Sequence, residues 1–203
     1  PPAVVSGCAV EPCATGGEAG CLVVAGAAFA REAVGEWART AFLNAFSDDA
    51  IVVEPAPQNA KKAWREKKES EGTLRWQPVL AATSTAGDLG YTTAPWSFIK
   101  KGQGEKPSSF GQFVSIWRWE NGKWKLFLDL GSDNPAPTGP QEELQLVDNH
   151  APHEPPSIAL PVMLAQDQAY AADRAGDISR LDEENVRVCL PNGCPVTERK
   201  AAA

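Results

Sequence analysis

Apolar residues recur at Ala30, Ala33, Val34, Trp37, Ala38, Ala41, Phe42, Ala45 and Phe46. This is the three-and-four spacing of one helical face, so the chain from Leu22 onward predicts a long amphipathic helix, broken near Gly35. Ser47-Asp48-Asp49 ends it, with the two acids read as turn and capping groups, and the β-branched run Ile51-Val52-Val53 predicts a short strand. Residues 59–70 are rich in Lys and Glu, with Ala60, Ala63, Trp64 and Lys67 at helical spacing, and predict a second, exposed helix. The pattern then turns to β-branched and aromatic residues, in four predicted strands at 74–82, 89–100, 110–120 and 123–130.

The last two strands are joined by Asn121-Gly122, a two-residue hairpin signal that sets their register. Glu120 then faces Lys123, Trp119 faces Trp124, Trp117 faces Leu126, Ser115 faces Leu128 and Phe113 faces Leu130. Those pairs share one apolar face. The opposite face takes Arg118 with Lys125, Ile116 with Phe127, Val114 with Asp129, and Gln112. Both faces are partly apolar, which predicts a sheet packed on both sides.

Outside this unit the periodicity fails. Residues 1–21 are rich in Gly and Pro and read as an irregular arm carrying Cys8, Cys13 and Cys21. Residues 134–161, Pro-rich and without Lys or Arg, read as a linker that also holds His150 and His153. Helical spacing returns from Val162, and a strand is predicted at 185–190. All seven tryptophans precede the linker, so the main aromatic core belongs to residues 22–133.

Composition narrows the class. With 43% hydrophobic and 22% charged residues in 203, at least one packed core is expected. A net charge of −7 disfavours nucleic acid, whose phosphates demand clustered Lys and Arg. The longest apolar run, 21–30, is far short of the ~20 residues of a membrane span. Cys-x4-Cys and Cys-x7-Cys without a nearby His fit a zinc site poorly, and Cys189 and Cys194, on either side of Pro191-Asn192-Gly193, are placed to form a disulfide across a turn. The pairing among the five cysteines stays open, as does the alternative of free thiols in a cytoplasmic protein. A start at Pro1, with no Lys or Arg before Arg31, reads as a processed end and points to a periplasmic or extracellular home.

The strings Phe42-Leu43-Asn44-Ala45-Phe46-Ser47-Asp48-Asp49-Ala50, Leu74-Arg75-Trp76-Gln77-Pro78, Gly87-Asp88-Leu89-Gly90-Tyr91-Thr92-Thr93-Ala94-Pro95-Trp96, Ile116-Trp117-Arg118-Trp119 and Gly122-Lys123-Trp124-Lys125 through Asp129-Leu130-Gly131 resemble the nuclear transport factor 2-like superfamily. The resemblance is to its ketosteroid-isomerase and polyketide-cyclase-like branch and covers roughly residues 22–133. It implies a cone-shaped α+β fold, with a strongly curved antiparallel sheet wrapped by N-terminal helices around a cavity. Residues 162–203, through Asp167-Gln168-Ala169-Tyr170-Ala171-Ala172 and Asp182-Glu183-Glu184-Asn185-Val186-Arg187-Val188, resemble the opening of a second copy without its remaining strands. Such a half-unit must pack on the first, pair with another chain, or continue beyond the sequence given.

Proteins with this fold isomerise, dehydrate or cyclise hydrophobic molecules, or only bind ligands or partners, and fold alone does not choose. For acid–base work the candidates are Asp129 and Tyr91, the carboxyl raised in pKa by apolar walls; the alternative makes Asp129 a strand-end residue paired to a base and Tyr91 a core residue. Trp76, Tyr91, Trp96, Gln112, Val114, Ile116, Phe127 and Asp129 are the candidate ligand-binding set. His150 and His153 lack a third ligand nearby, so no metal site is expected, and no glycine-rich phosphate loop or Ser-His-Asp order is visible. The expectation is a cofactor-free, non-catalytic domain binding a small apolar or aromatic molecule, as a homodimer or a subunit of a larger assembly. A cofactor-free isomerase, cyclase or dehydratase is the alternative.

Overall fold

The computed structural model describes residues 18–34, 38–54, 56–68, 71–137, 143–148, 160–162, 164, 165 and 168. Helix α1 (Ala19–Glu32) forms because Leu22, Gly26, Phe29 and Ala33, spaced four, three and four, make one buried face. Its N-cap residue, Glu18, makes no side-chain cap; the Ala19 N–H instead donates to Asp148 Oδ1 at 2.7 Å, from far along the chain. A carboxylate there satisfies an orphan donor and meets the positive end of the helix dipole, a contribution of about 1 kcal/mol. Helix α2 (Ala38–Ala45) buries Ala41 and Phe42.

Strand β1 (Phe46–Val53) follows α2 directly, starting five residues before the predicted Ile51. Phe46 pairs beside Leu126, which draws Asp48 and Asp49 into the strand. They are therefore not turn groups. Both face solvent, where Lys61 donates to Asp48 at 2.6 Å and Arg118 makes a two-pronged bond to Asp49 at 2.6 and 3.1 Å. These partners hold both carboxyls below their usual range, and at such exposure each pair contributes little to stability.

Strand β2 (Pro57–Asn59) pairs with β1, and Asn59 caps α3 (Ala60–Glu66) by accepting from the Lys62 N–H at 3.0 Å. One strand was predicted at 74–82. There are two, β3 (Gly72–Trp76) and β4 (Leu80–Thr83), because Gln77-Pro78 interrupts the ladder where proline has no N–H to give. Both run antiparallel to β5 (Leu89–Lys100), β4 along its first half and β3 along its second. β6 (Ser109–Glu120) and β7 (Lys123–Asn134) form the expected hairpin, with Asn121 and Gly122 at φ 52° and 77°. β8 (Gln145–Asp148) lies inside the stretch read as a linker and pairs parallel with β4.

The strand order is β2-β1-β7-β6-β5-β4-β8, with β3 beside β5 off this path. This corrects the expected cone of strongly curved antiparallel strands. The sheet is mixed, since β1 and β8 both add in parallel, and it ends in two separate edges, neither closed nor strongly curled. Strand order along the sequence suggested a meander that could roll up. The parallel additions at both ends extend the sheet instead.

All three helices contact the sheet or one another, and Phe29 of α1 meets Trp117 of β6 edge-on at 6.0 Å, so the helical layer covers the Trp117 face. Close approach is allowed at Gly90, where a Cβ would meet Leu22 Cδ2 at 2.7 Å and Ala82 O at 2.8 Å. Phe29, Phe42, Phe46, Trp117 and Leu126 fill the space between. On the other face Leu89, Tyr91 and Leu130 stay exposed. Cys21 is disulfide-bonded. Cys8, Cys13, Cys189, Cys194, His150, His153 and nearly all of the predicted second copy lie outside the described residues.

Candidate functional site

The hairpin register holds as predicted from Glu120↔Lys123 to Trp117↔Leu126, and then slips. The next pair is Ile116↔Leu128, so Phe127 is an extra residue on β7, a bulge. Since side chains alternate, one extra residue moves everything beyond it to the opposite face. Asp129 lands opposite Ser115 rather than beside Val114, and so on the face that carries Phe113, Trp117 and the helices.

There it enters a cavity of about 500 Å³ between sheet and helices. One wall is Phe42 stacked on Trp64, with ring centroids 3.8 Å apart; Phe29, Trp76 and Phe113 continue it at 5.1 and 6.5 Å along the series. Trp96 adds a further face, its indole lying over Gly111, where a Cβ would fall 2.3 Å from the ring. The floor is β7, with Asp129, Gly131 and Asp133 alternating toward the cavity; a Cβ on Gly131 would meet nothing within 4 Å. Glu54, Lys67, Ser115 and Ser132 complete the polar lining.

Ser115 Oγ donates to Asp129 Oδ1 at 2.7 Å. That bond favours the ionised carboxyl, but burial outweighs it, and with Glu54 nearby the Asp129 pKa is pushed up to about 6 despite Lys67. Lys67 itself is held by both Glu54 oxygens at 2.8 and 3.0 Å and lies 4.6 Å from the centre of the Trp64 ring. The site thus offers flat apolar walls and one carboxyl that gains or loses its proton near neutrality.

Of the residues singled out in the sequence, Trp76, Trp96 and Asp129 come together here. Tyr91, Gln112, Val114 and Ile116 lie on the outer face by register, and Phe127 sits in the bulge under the Arg118 guanidinium at 4.1 Å. Tyr91, opposite Ile116 and exposed, is therefore not a partner for Asp129. Gln112 is buried and donates to Thr93 Oγ1 at 2.9 Å, a bond within the sheet. The sequence reading missed Phe29, Phe42, Trp64, Glu54 and Lys67. The helical periodicity had marked Phe42 and Trp64 as face residues, and that same face lines the cavity. Among the described residues, no group of three His, Cys, Asp or Glu is placed to hold a metal, and no helix is long and apolar enough to cross a membrane.

No protein-family model matches the chain, and no curated protein matches it. Solved structures do. A protein of unknown function from Mycobacterium tuberculosis is 13% identical, over 55% of this chain and 71% of that one, with a TM-score of 0.46. An NTF2-like protein of unknown function from Pseudomonas putida is 12% identical, over 62% and 92%, with a TM-score of 0.46. A protein of unknown function with a cystatin-like fold from Nostoc punctiforme is 15% identical, over 57% and 90%, with a TM-score of 0.43. The likeness is to an NTF2-like or cystatin-like fold, at low identity and over part of the chain, and it singles out neither a branch of that superfamily nor a duplicated unit.

Proposed function

We propose that this protein binds a small, flat, largely apolar molecule in the cavity, with a polar group of that molecule against Asp129. The observation that carries this reading is the inward carboxyl in a cavity lined by aromatic side chains: about 500 Å³ is within the usual range of small-molecule sites, and such sites pair apolar walls with few polar groups. We place the protein in an oxidising, periplasmic or extracellular setting, one in which its five cysteines can pair.

Gly131 supplies the test. Its φ is not positive, and nothing lies within 4 Å of where its Cβ would stand, so Gly131→Val puts its side chain into open space on the floor of the cavity and adds a residue that strands favour. The neutral apolar dye N-phenyl-1-naphthylamine is expected to bind the unaltered protein saturably, and Gly131→Val to weaken it at least about tenfold while the melting temperature holds or rises. Dye binding that ignores the substitution would place it elsewhere and sink the proposal.

Asp129 favours a second reading, proton transfer on the bound molecule. A carboxyl with a pKa of about 6, bonded by Ser115 in a cavity lined by rings, is suited to take or return a proton near neutral pH. It predicts that a bound carbon acid exchanges hydrogen with deuterated solvent faster than in the Asp129→Asn variant, as read by NMR. Equal rates in the two proteins would reject it.

A further inference from the structure

The charges around the cavity narrow the kind of molecule that fits. Three acids line it, Glu54, Asp129 and Asp133, against one base, Lys67. Lys67 is committed to Glu54, and among the described residues no Lys or Arg bonds Asp129 or Asp133. Six aromatic residues, Phe29, Phe42, Trp64, Trp76, Trp96 and Phe113, make up much of the remaining lining, and the face of a ring is the negative part of its charge distribution. The site is thus short of positive charge from two independent sources, its carboxylates and its rings.

We propose that the cavity takes an organic cation, an amine or quaternary ammonium on a flat apolar body, with the cationic centre against Asp129 and the body among Trp64, Trp76, Trp96 and Phe113. This rests on the ligand-binding reading above and goes further by naming the ligand class. The protein already shows the arrangement in its own side chains: the Lys67 ammonium is held between a carboxylate and the Trp64 ring. A second ammonium entering the cavity finds the same two kinds of partner in its lining, the Asp129 carboxyl and aromatic rings. An anion would meet Asp129 and Asp133 with only a pre-engaged lysine to receive it. A neutral molecule would leave the ionised, half-buried Asp129 with only the Glu54-engaged Lys67 as a counter-charge. The net charge of −7 over the chain draws cations toward the protein as well.

Phenyltrimethylammonium and its neutral carbon isostere tert-butylbenzene have the same shape and differ in charge. Titrated into the full chain at pH 8 and followed by tryptophan fluorescence and calorimetry, the cation is expected to bind at least about tenfold more tightly. Asp129→Asn, which keeps the shape and the Ser115 acceptor, is expected to bring the two within about twofold, and Gly131→Val to lose both. Equal or tighter binding of tert-butylbenzene, still lost in Gly131→Val, overturns the cation and leaves the cavity reading standing. Cation binding that survives Gly131→Val belongs to the acidic surface, and a preference that survives Asp129→Asn belongs to another group; either overturns the proposal. Saturable binding of neither probe overturns both readings.

Discussion

Asp129→Asn is expected to make the protein more stable at pH 8, by about 3 kcal/mol. The folded protein keeps the Asp129 proton up to a pKa of about 6, whereas an unfolded chain releases it near the ordinary carboxylate value of 3.8. Between those two values the folded state binds more protons than the unfolded one, so this group's contribution to stability falls as pH rises. Below about pH 4 both states are protonated and nothing is lost; above about pH 6 both are ionised and the full cost of holding a buried charge is present. Asparagine cannot ionise, and its amide oxygen still accepts from Ser115. Urea denaturation of both proteins at pH 8 and pH 4.5 reads the effect, and the difference between the two proteins cancels every other titrating group. A large gain at pH 8 that shrinks at pH 4.5 is the expected result; an equal gain at both, or none at pH 8, contradicts the assignment. Against a usual total stability of about 5–15 kcal/mol, a cost of this size is large. A carboxylate kept where an amide folds better serves the cavity rather than the fold.

How much of this could be read in the sequence is clearest along the β6–β7 hairpin. Asn121-Gly122 demanded left-handed φ at two successive residues, and that local constraint set the register correctly as far as Leu126. Beyond it the sequence runs Leu126-Phe127-Leu128, without alternation, so neither face is marked and a one-residue slip costs no apolar burial that the pattern could reveal. The slip decides the site. It turns Leu130 outward and Asp129 inward, and it separates Asp129 from Tyr91, the partner assigned to it from an unbroken register. β8 was hidden differently: four residues of strand among prolines carry too short a pattern, and what fixes them is pairing with β4 and the Asp148 bond to α1, both long-range. The open sheet follows from the same cause, because parallel pairing of β1 with β7 and β8 with β4 leaves no trace in local spacing. Trp76 and Trp96 were legible because bulky aromatics on strands must pack or line something. Phe42 and Trp64 were legible as a helical face but not as cavity wall, since one face does both.

The two glycines beside the cavity should respond oppositely to gaining a side chain, and Gly111 carries the larger penalty. Gly111 pairs across from Trp96 on one side and Asp133 on the other. A Cβ there would stand 2.0 Å from Ser132 O and 2.3 Å from two atoms of the Trp96 indole, distances no side chain attains without movement. The carbonyl belongs to the β7 ladder and has little freedom, while the indole would be driven off the backbone and into the cavity. Gly111→Ala is therefore expected to cost about 3 kcal/mol or more, as overpacking against backbone does, and to disturb ligand binding through Trp96. Gly131→Val, on the neighbouring strand, puts two more carbon atoms than that alanine into the same region and is expected to cost nothing, because nothing lies within 4 Å of its Cβ. Melting temperatures of the two variants, measured side by side, check the contrast. If Gly111→Ala melts with the unaltered protein, Trp96 does not lie over Gly111 and the cavity loses one of its walls. If instead it melts far below while Gly131→Val does not, the floor and wall of the cavity stand as described, the floor left open by the missing side chain at Gly131 and the wall closed by the Trp96 indole that the bare Gly111 admits.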